Sequence, residues 1–294
     1  MLNVMNGLEL THLLQPNSTV ERSGVYVASG IGDHTIWDDN AIENPTNAVI
    51  SATNEAEAEQ KSQAQITEIK QHLKPGDILL DLGAGYGRVA QYLLPQMVLG
   101  GYIAVDSSQQ MLALFRERYI RRDEELRTPA LALNADIHSL PLIDASVDAV
   151  LVAAVFLHNH KDVVAKAMAE VKRVLKPGGT LLVYSSFPRA ATGMGIQGQL
   201  YQAYLNLAGK PYKNGPVRYY SKKEVQKMFK GFDAVTIKPF GFAVVPKGII
   251  VLPKFLDRVY RLWFANPVNS LLAKVIPNSL KPYFATHYDV VAKR

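Results

Sequence analysis

The stretch Ile78-Leu79-Leu80-Asp81-Leu82-Gly83-Ala84-Gly85-Tyr86-Gly87-Arg88 decides how this sequence folds. Its first five residues are a short apolar run of the kind that forms a buried strand. A loop with glycine at every second position follows, and the apolar spacing after Arg88 predicts a helix over 88–94. Glycines at a strand-to-helix junction let the backbone turn tightly and approach a ligand closely, and the helix start offers unpaired N–H groups. The spacing is G-x-G-x-G, and Arg88 stands where a dinucleotide fingerprint has its third glycine. That glycine serves close helix–strand packing, so Arg88 argues against a pyrophosphate cradle and against a nicotinamide-dependent oxidoreductase. A smaller nucleoside ligand with an amino-acid tail suits the loop better.

Outward from this loop the sequence alternates strand and helix. Gly101-Tyr102-Ile103-Ala104-Val105-Asp106 predicts a second strand, with Ser107 capping the helix that carries Met111, Leu112, Leu114 and Phe115. Leu131-Ala132-Leu133-Asn134 predicts a third, ending near Asp136; 147–153 a fourth, followed by a helix over 162–175; and 180–184 a fifth. Strands separated by helices pair in parallel through right-handed crossovers, which gives an α/β, doubly wound, Rossmann-like open sheet. A helix is expected over 54–73, with Asn54 as N-cap and glutamates in its first turn. After Phe187 the rhythm breaks: Ser221-x-x-Glu224 reads as a capping box, 233–240 and 287–293 as two last strands, and 254–265 and 267–276 as amphipathic helices, the second capped by Asn266. Residues 1–53 read as an irregular N-terminal segment or lid before a domain over 54–294.

Ligands of open parallel sheets bind at the carboxyl ends of the strands. Asp106, 19 residues past Gly87, ends the second strand beside the glycine loop and can accept both hydroxyls of a ribose. Asp136 can accept an exocyclic adenine N–H, and Met111 can cover a face of the base. Each acid alone is an ordinary turn or helix cap; Asp81, Asp106 and Asp136 at three consecutive strand ends, one with a glycine loop attached, make a ligand site.

The segments LLDLGAGYGRVA, YIAVDSS, NADIHSLPLIDASVDAVLVAAVFLHN and LKPGG, over residues 66–186, resemble the class I S-adenosylmethionine-dependent methyltransferases, in the branch that holds ubiquinone/menaquinone-type and small-molecule enzymes. The resemblance implies a seven-stranded sheet whose final antiparallel strand lies between the fifth and sixth. It implies S-adenosylmethionine as cofactor, with Gly83, Ala84, Gly85 and Gly87 around the methionine part and Asp81 orienting that loop. Asp106 and Ser107 would hold the ribose, Asp136 and Ile137 the adenine under Met111, and Ala153 to Phe156 would line the cofactor. Ala84 stands where many relatives have cysteine.

Methyl transfer from a sulfonium needs alignment and exclusion of water more than covalent help, and a base only where the acceptor arrives protonated. His158, after the fourth strand, is the candidate base. Trp37, His160, Tyr219 and Tyr220 are candidates to line the substrate. His34 and His287 read as structural histidines, and Asp38-Asp39 as a solvated turn. With no cysteine and no clustered ligands, neither a disulfide nor a metal site is expected. The reaction expected is O-methylation of a hydroxyl or phenol on a specialised or lipid-like metabolite. The alternatives are C-methylation of an isoprenoid- or quinone-like substrate, and a non-catalytic partner protein of the same fold.

The chain has 294 residues, 48% of them apolar and 20% charged, an ordinary globular composition. No run reaches the roughly 20 apolar residues that span a bilayer and no signal peptide is visible, so a cytoplasmic protein is expected. Residues 210–294 hold 16 Lys and Arg against 4 Asp and Glu, whereas 1–209 hold 16 against 22. Such asymmetry suggests that the basic C-terminal region meets an anionic substrate or a membrane surface; without a basic–aromatic motif, nucleic acid is not expected. Substrate specificity is expected in the insertions 187–220 and 243–285, the latter a helical cap or lid.

Overall fold

In the computed structural model, residues 8–31, 37–39, 55–120, 127–210, 215–246 and 254–294 are described. Asn54 lies outside them, so the N-cap expected there stays with the sequence.

The loop that opens the site is held in the middle of a nine-stranded sheet of order β1-β2-β5-β4-β3-β6-β7-β9-β8. The strands are β1 Thr19–Arg22, β2 Val25–Ala28, β3 Ile78–Leu82, β4 Gly101–Asp106, β5 Ala130–Asn134, β6 Val147–Ala153, β7 Leu175–Pro188, β8 Val235–Phe240 and β9 His287–Lys293. β3 pairs in parallel with β4 and β6, so Asp81 lies level with Ala104 and Leu151. β9 runs antiparallel between β7 and β8, the finish expected. All seven expected strands form. The count differs because β1 and β2, in the stretch read as irregular, make a hairpin whose second strand adds in parallel to β5. The signal was local: Ser23 and Gly24 both take positive φ, 54° and 80°, as a two-residue hairpin turn requires.

Central strands buried on both sides read as continuous apolar runs. Leu80, Leu82, Ile103, Val105, Val150 and Val152 face one layer of the core; Leu79, Tyr102, Ala104, Ala149 and Leu151 face the other. The alternation is the two-residue period of a strand. The helices that cover these faces include α1 Glu55–Lys70, α2 Arg88–Leu93, α3 Gln109–Phe115 and α4 Lys161–Val174. On α4, Val164, Ala167, Met168, Val171 and Val174 are buried, the spacing of one apolar stripe.

Beyond β7 the structure departs from expectation in two places. Within 187–220, α5 Gly193–Leu207 is a full helix, started by Thr192, whose hydroxyl accepts from the Gly195 N–H at 3.0 Å. After α6 Lys222–Met228, whose Ser221–Glu224 capping box forms as read, come α7 Lys254–Tyr260, a π turn Arg261–Ala265 and α8 Asn266–Val275. Asn266 is not an N-cap, because the backbone at Tyr260, Ala265 and Asn266 stays helical and the three pieces run on without a break. Pro267 has no N–H to give, and the wider turn before it already interrupts the regular ladder. No helix among the described residues is long and apolar enough to cross a membrane.

Candidate functional site

Gly83, Gly85 and Gly87 all take positive φ, 78°, 55° and 87°. Two of them are also closely packed. A Cβ on Gly83 would fall 2.3 Å from Val155 Cγ2, and one on Gly87 would fall 2.5 Å from Phe115 Cδ2 and 2.6 Å from Tyr119 Cε2. The loop is tied to β4 by its own N–H groups. Those of Gly83 and Ala84 donate to the Val105 carbonyl at 2.8 and 2.9 Å, and that of Gly85 donates to Asp106 Oδ2 at 2.8 Å.

Asp106 therefore faces the loop as expected, and its other oxygen accepts from the Ser108 N–H at 2.9 Å. A carboxylate has about four acceptor positions, so holding the loop and accepting from a diol are compatible. Ser108, not Ser107, caps α3: its hydroxyl accepts from the Met111 N–H at 3.1 Å. Ser107 instead offers its carbonyl to Asn134 Nδ2 at 2.9 Å, and the same amide donates to the Asp106 carbonyl at 3.0 Å. Asn134, which in the sequence reads only as the end of a strand, thus fastens the rims of β4 and β5 together. Met111 is buried against Tyr86, and the Arg118 guanidinium stacks 4.7 Å from the Tyr86 ring centre. Asp136 is half-buried just past β5, followed by the buried Ile137.

Beneath the loop, Asp81 is buried and accepts a hydrogen bond from the Tyr102 hydroxyl. Burial pushes its carboxyl up to about 6, against the pull of that hydrogen bond and of the Arg88 guanidinium. Arg88 is itself buried. It donates to Gln65 Oε1 at 2.8 Å and Ser62 Oγ at 3.4 Å, both on α1. The residue that replaced the third glycine is the strut between the loop and the first helix.

The opposite wall is the end of β6. Ala154 sits in the left-handed region at φ 61°, a strained conformation for a residue with a Cβ, and such strain concentrates at ligand sites. The twist after Ala153 turns Val155 onto Gly83; the Val155 N–H donates to Ser186 Oγ at 3.1 Å. Phe156 points the other way, into the core against Phe187 at 5.8 Å. His158 then meets Trp37 edge to face, with ring centres 5.1 Å apart and planes at 74°. Burial pushes the His158 imidazole down to about 4, and its buried Nδ1 has no hydrogen-bond partner among the described residues.

Asp38 is no solvated turn residue. It accepts from Ser108 Oγ at 2.5 Å and from the Gln110 N–H at 3.2 Å, so Trp37-Asp38 is strapped across the start of α3. This link spans 70 residues of sequence and has no local signature. His34 lies outside the described residues.

The other candidates for the substrate wall separate. Tyr220 is fully buried; its ring packs on Phe187 at 5.1 Å and its hydroxyl donates to the Phe156 carbonyl at 3.2 Å. It supports the loop of His158 from below and does not face a cleft. His160 is exposed at the start of α4, its Nδ1 3.7 Å from Asp162. Tyr219 is half-buried with its hydroxyl against α5, where a Cβ on Gly198 would fall 1.7 Å from it. His287 makes a structural hydrogen bond to Thr286 Oγ1 at 2.9 Å. No group of three or more acidic or histidine side chains able to hold a metal occurs among the described residues.

Residues 80–183 match the family model of a methyltransferase domain. Over 114 residues the chain is 36% identical to a ubiquinone/menaquinone biosynthesis C-methyltransferase, UbiE, of Paraburkholderia phytofirmans, covering 38% of this chain and 44% of that protein. The chain spans a third to about half of the length of the curated relatives it matches. Among solved structures, a methyltransferase from Haloferax volcanii in complex with the Trm112 activator superposes with TM-score 0.57 at 17% identity, covering 87% of this chain and 96% of that one. The Haemonchus contortus phosphoethanolamine N-methyltransferase 2 bound to S-adenosyl-L-methionine gives 0.53 at 16%, over 91% of this chain and 61% of that one. At these identities the superpositions show the fold.

Proposed function

We propose that this chain, a class I methyltransferase by its sheet order and by the methyltransferase domain over residues 80–183, binds S-adenosylmethionine and methylates an acidic hydroxyl, a phenol or enol, of a small apolar metabolite. The fit of the cofactor rests on the cradle: a loop in which added Cβ atoms would collide with Val155 and Phe115, beside an acid at the end of β4. Gly83, Gly85 and Gly87 would wrap the methionine part, Asp106 the ribose, and Asp136 with Ile137 the adenine, Met111 covering the base. The cofactor supplies a methyl group already activated on a sulfonium.

The observation that carries the acceptor reading is the buried, unbonded Nδ1 of His158 beside Trp37. A buried polar atom without a partner costs stability unless a ligand satisfies it. An imidazole held near 4 is neutral at pH 7 and a weak base. It can accept a hydrogen bond from a hydroxyl and, as the oxygen takes the methyl group, take the proton from an acceptor that surrenders it easily. Trp37 supplies an apolar wall for an aromatic ring.

Transfer to a ring carbon is the second reading, favoured by the match to a C-methyltransferase of quinone biosynthesis. A hydroxyl bonded to His158 would raise the electron density of its ring at the neighbouring carbons, so the same geometry serves both outcomes.

Calorimetric titration with S-adenosylhomocysteine, in parallel with NAD(P), on the natural chain and on Asp106→Ala tests the cofactor. Binding of the first ligand alone, lost in the variant, supports the reading; binding of neither sinks it. Mass and NMR analysis of products from a phenol panel then separates oxygen from carbon transfer.

A further inference from the structure

The helical run α7–α8 is fastened on one side and bare on the other. On its inner side Asn269 is buried; its Oδ1 accepts from the Val244 and Val245 N–H groups at 2.9 and 3.1 Å, and its Nδ2 donates to the Val245 carbonyl at 2.9 Å. The Tyr260 hydroxyl donates to the Pro246 carbonyl at 3.0 Å. A helix so anchored is not loosely attached, yet its outer side carries Phe255 at 73% exposure, Trp263 at 80%, Leu271 at 61% and Val275 at 63%, with Leu262 half exposed between them and Tyr283 at 71% just beyond. Single exposed apolar residues need no explanation; a contiguous row of large ones marks an interaction surface.

We propose that this face of α7–α8 docks flat on an anionic lipid bilayer. Charge chooses this occupant. Residues 254–275 carry Lys254, Arg258, Arg261 and Lys274 against one acid, Asp257, and Arg258 and Lys274 are exposed among the apolar row. A second copy of the chain would bring the same basic surface against itself, whereas a layer of acidic headgroups neutralises it. Exposed Trp and Tyr beside Arg and Lys with long apolar stems suit the headgroup boundary, where rings and stems sink and polar tips stay wet. The run is roughly 30 Å long at 1.5 Å per residue and interrupted by charges, so it lies on the membrane and does not span it.

The placement has a consequence for access. β8 is parallel to β7, since both are antiparallel to β9. The segment after Phe240 therefore leaves the sheet at the edge where β3, β4 and β6 end and the glycine loop and His158 lie. A bilayer on α7–α8 would hold that edge close to a source of apolar acceptors. Docking does not depend on the proposed methyl transfer, although it fits the apolar acceptor proposed there.

Co-sedimentation of the full chain with vesicles of phosphatidylcholine alone, or with added phosphatidylglycerol, tests this. Binding to the anionic vesicles, reduced by added salt, is expected. It should be lost in the double variant Phe255→Ser, Trp263→Ser, and weakened about fivefold by each of Arg258→Gln and Lys274→Gln. Circular dichroism and thermal unfolding check that each variant is folded, and titration with S-adenosylhomocysteine reads the cofactor site separately. A chain that takes up this ligand but stays off both vesicles overturns the docking inference alone. One that binds vesicles but not the ligand overturns the functional reading alone. Equal binding to neutral vesicles overturns the anionic assignment. Self-association in light scattering that Trp263→Ser disperses hands the face to a second copy.

Discussion

The indole of Trp37 meets the imidazole of His158 edge to face at 5.1 Å, across more than a hundred residues of chain. The contact survives because Asp38, the next residue, is pinned to the Ser108 hydroxyl and the Gln110 N–H. A strap from the N-terminal region and a loop from the end of β6 thus close one wall together.

Trp37→Ala removes that wall without touching the glycine loop. An aromatic pair contributes ~1 kcal/mol beyond its buried area, so KM for a phenolic acceptor should rise by about fivefold to tenfold, with the affinity for S-adenosylhomocysteine unchanged. Steady-state kinetics and calorimetry on one preparation check this. An equal fall in cofactor affinity would move Trp37 from the acceptor to the cofactor.

His158 predicts an acid-side loss of stability. Its imidazole is pushed from 6.5 down to about 4 by burial, so below pH 6.5 the unfolded chain takes up the proton first. The stability this group supports is complete above 6.5 and lost as pH falls through 4, in all on the order of 3 kcal/mol at 1.36 kcal/mol per unit. Asp289 works in the opposite direction. Its carboxyl, raised to about 7 by burial, is neutral in the folded chain at low pH and costs stability as pH rises through 7. Urea unfolding of the natural chain and of His158→Gln isolates the histidine: the natural chain should lose more stability between about pH 7 and about pH 4.5 than the variant. Parallel losses would mean that the imidazole titrates normally.

The Gly83–Val155 contact predicts non-additivity. All three atoms nearest a Cβ on Gly83 belong to the Val155 side chain, so Gly83→Ala must displace the wall that carries His158. Affinity for S-adenosylhomocysteine should fall about tenfold or more, and Val155→Ala added to it should restore part of the loss, with a coupling of ~1–2 kcal/mol. Recovery stays incomplete, because φ 78° still costs an alanine ~1 kcal/mol. A double-mutant cycle by calorimetry gives the coupling directly; additive losses would mean that Val155 yields freely.

What could be read from the sequence is what is local. The strand, glycine loop and helix at 78–93, the acids at the ends of β3 and β4, and the capping box at Ser221 each lie within one short window, where spacing and backbone chemistry set the outcome. What could not be read is set by distance. Asp38 looks like a turn residue until α3 is placed beneath it, and Tyr220, between Tyr219 and Ser221, looks like part of a substrate wall until Phe187 covers it. Tertiary packing, which assigns one tyrosine of a pair to the core, leaves no periodic mark in so short a segment. The β1–β2 hairpin is a different case: Ser23-Gly24 between Arg22 and Val25 carries its own turn signal, and only the polar composition around it hides the strands.

Arg88 is the buried cation beneath the glycine loop. It links α1 to the loop through Gln65 and Ser62 while buried beside Asp81. Arg88→Leu would fill the space but leave two amide and hydroxyl acceptors and a buried carboxyl without their cation, costing ~2–4 kcal/mol. The loss should be local, with hydrogen exchange over the second half of α1 quickening well before β3 and β4 open. Arg88→Lys should not rescue it, since one ammonium cannot bond both partners in the fork geometry that a guanidinium offers. Without that charge the Asp81 carboxyl should also titrate above its present value of about 6, visible in a carboxyl NMR titration. Unchanged exchange in Arg88→Leu would show that Ile66 and Ile69, fully buried on the same helix, hold α1 by packing alone.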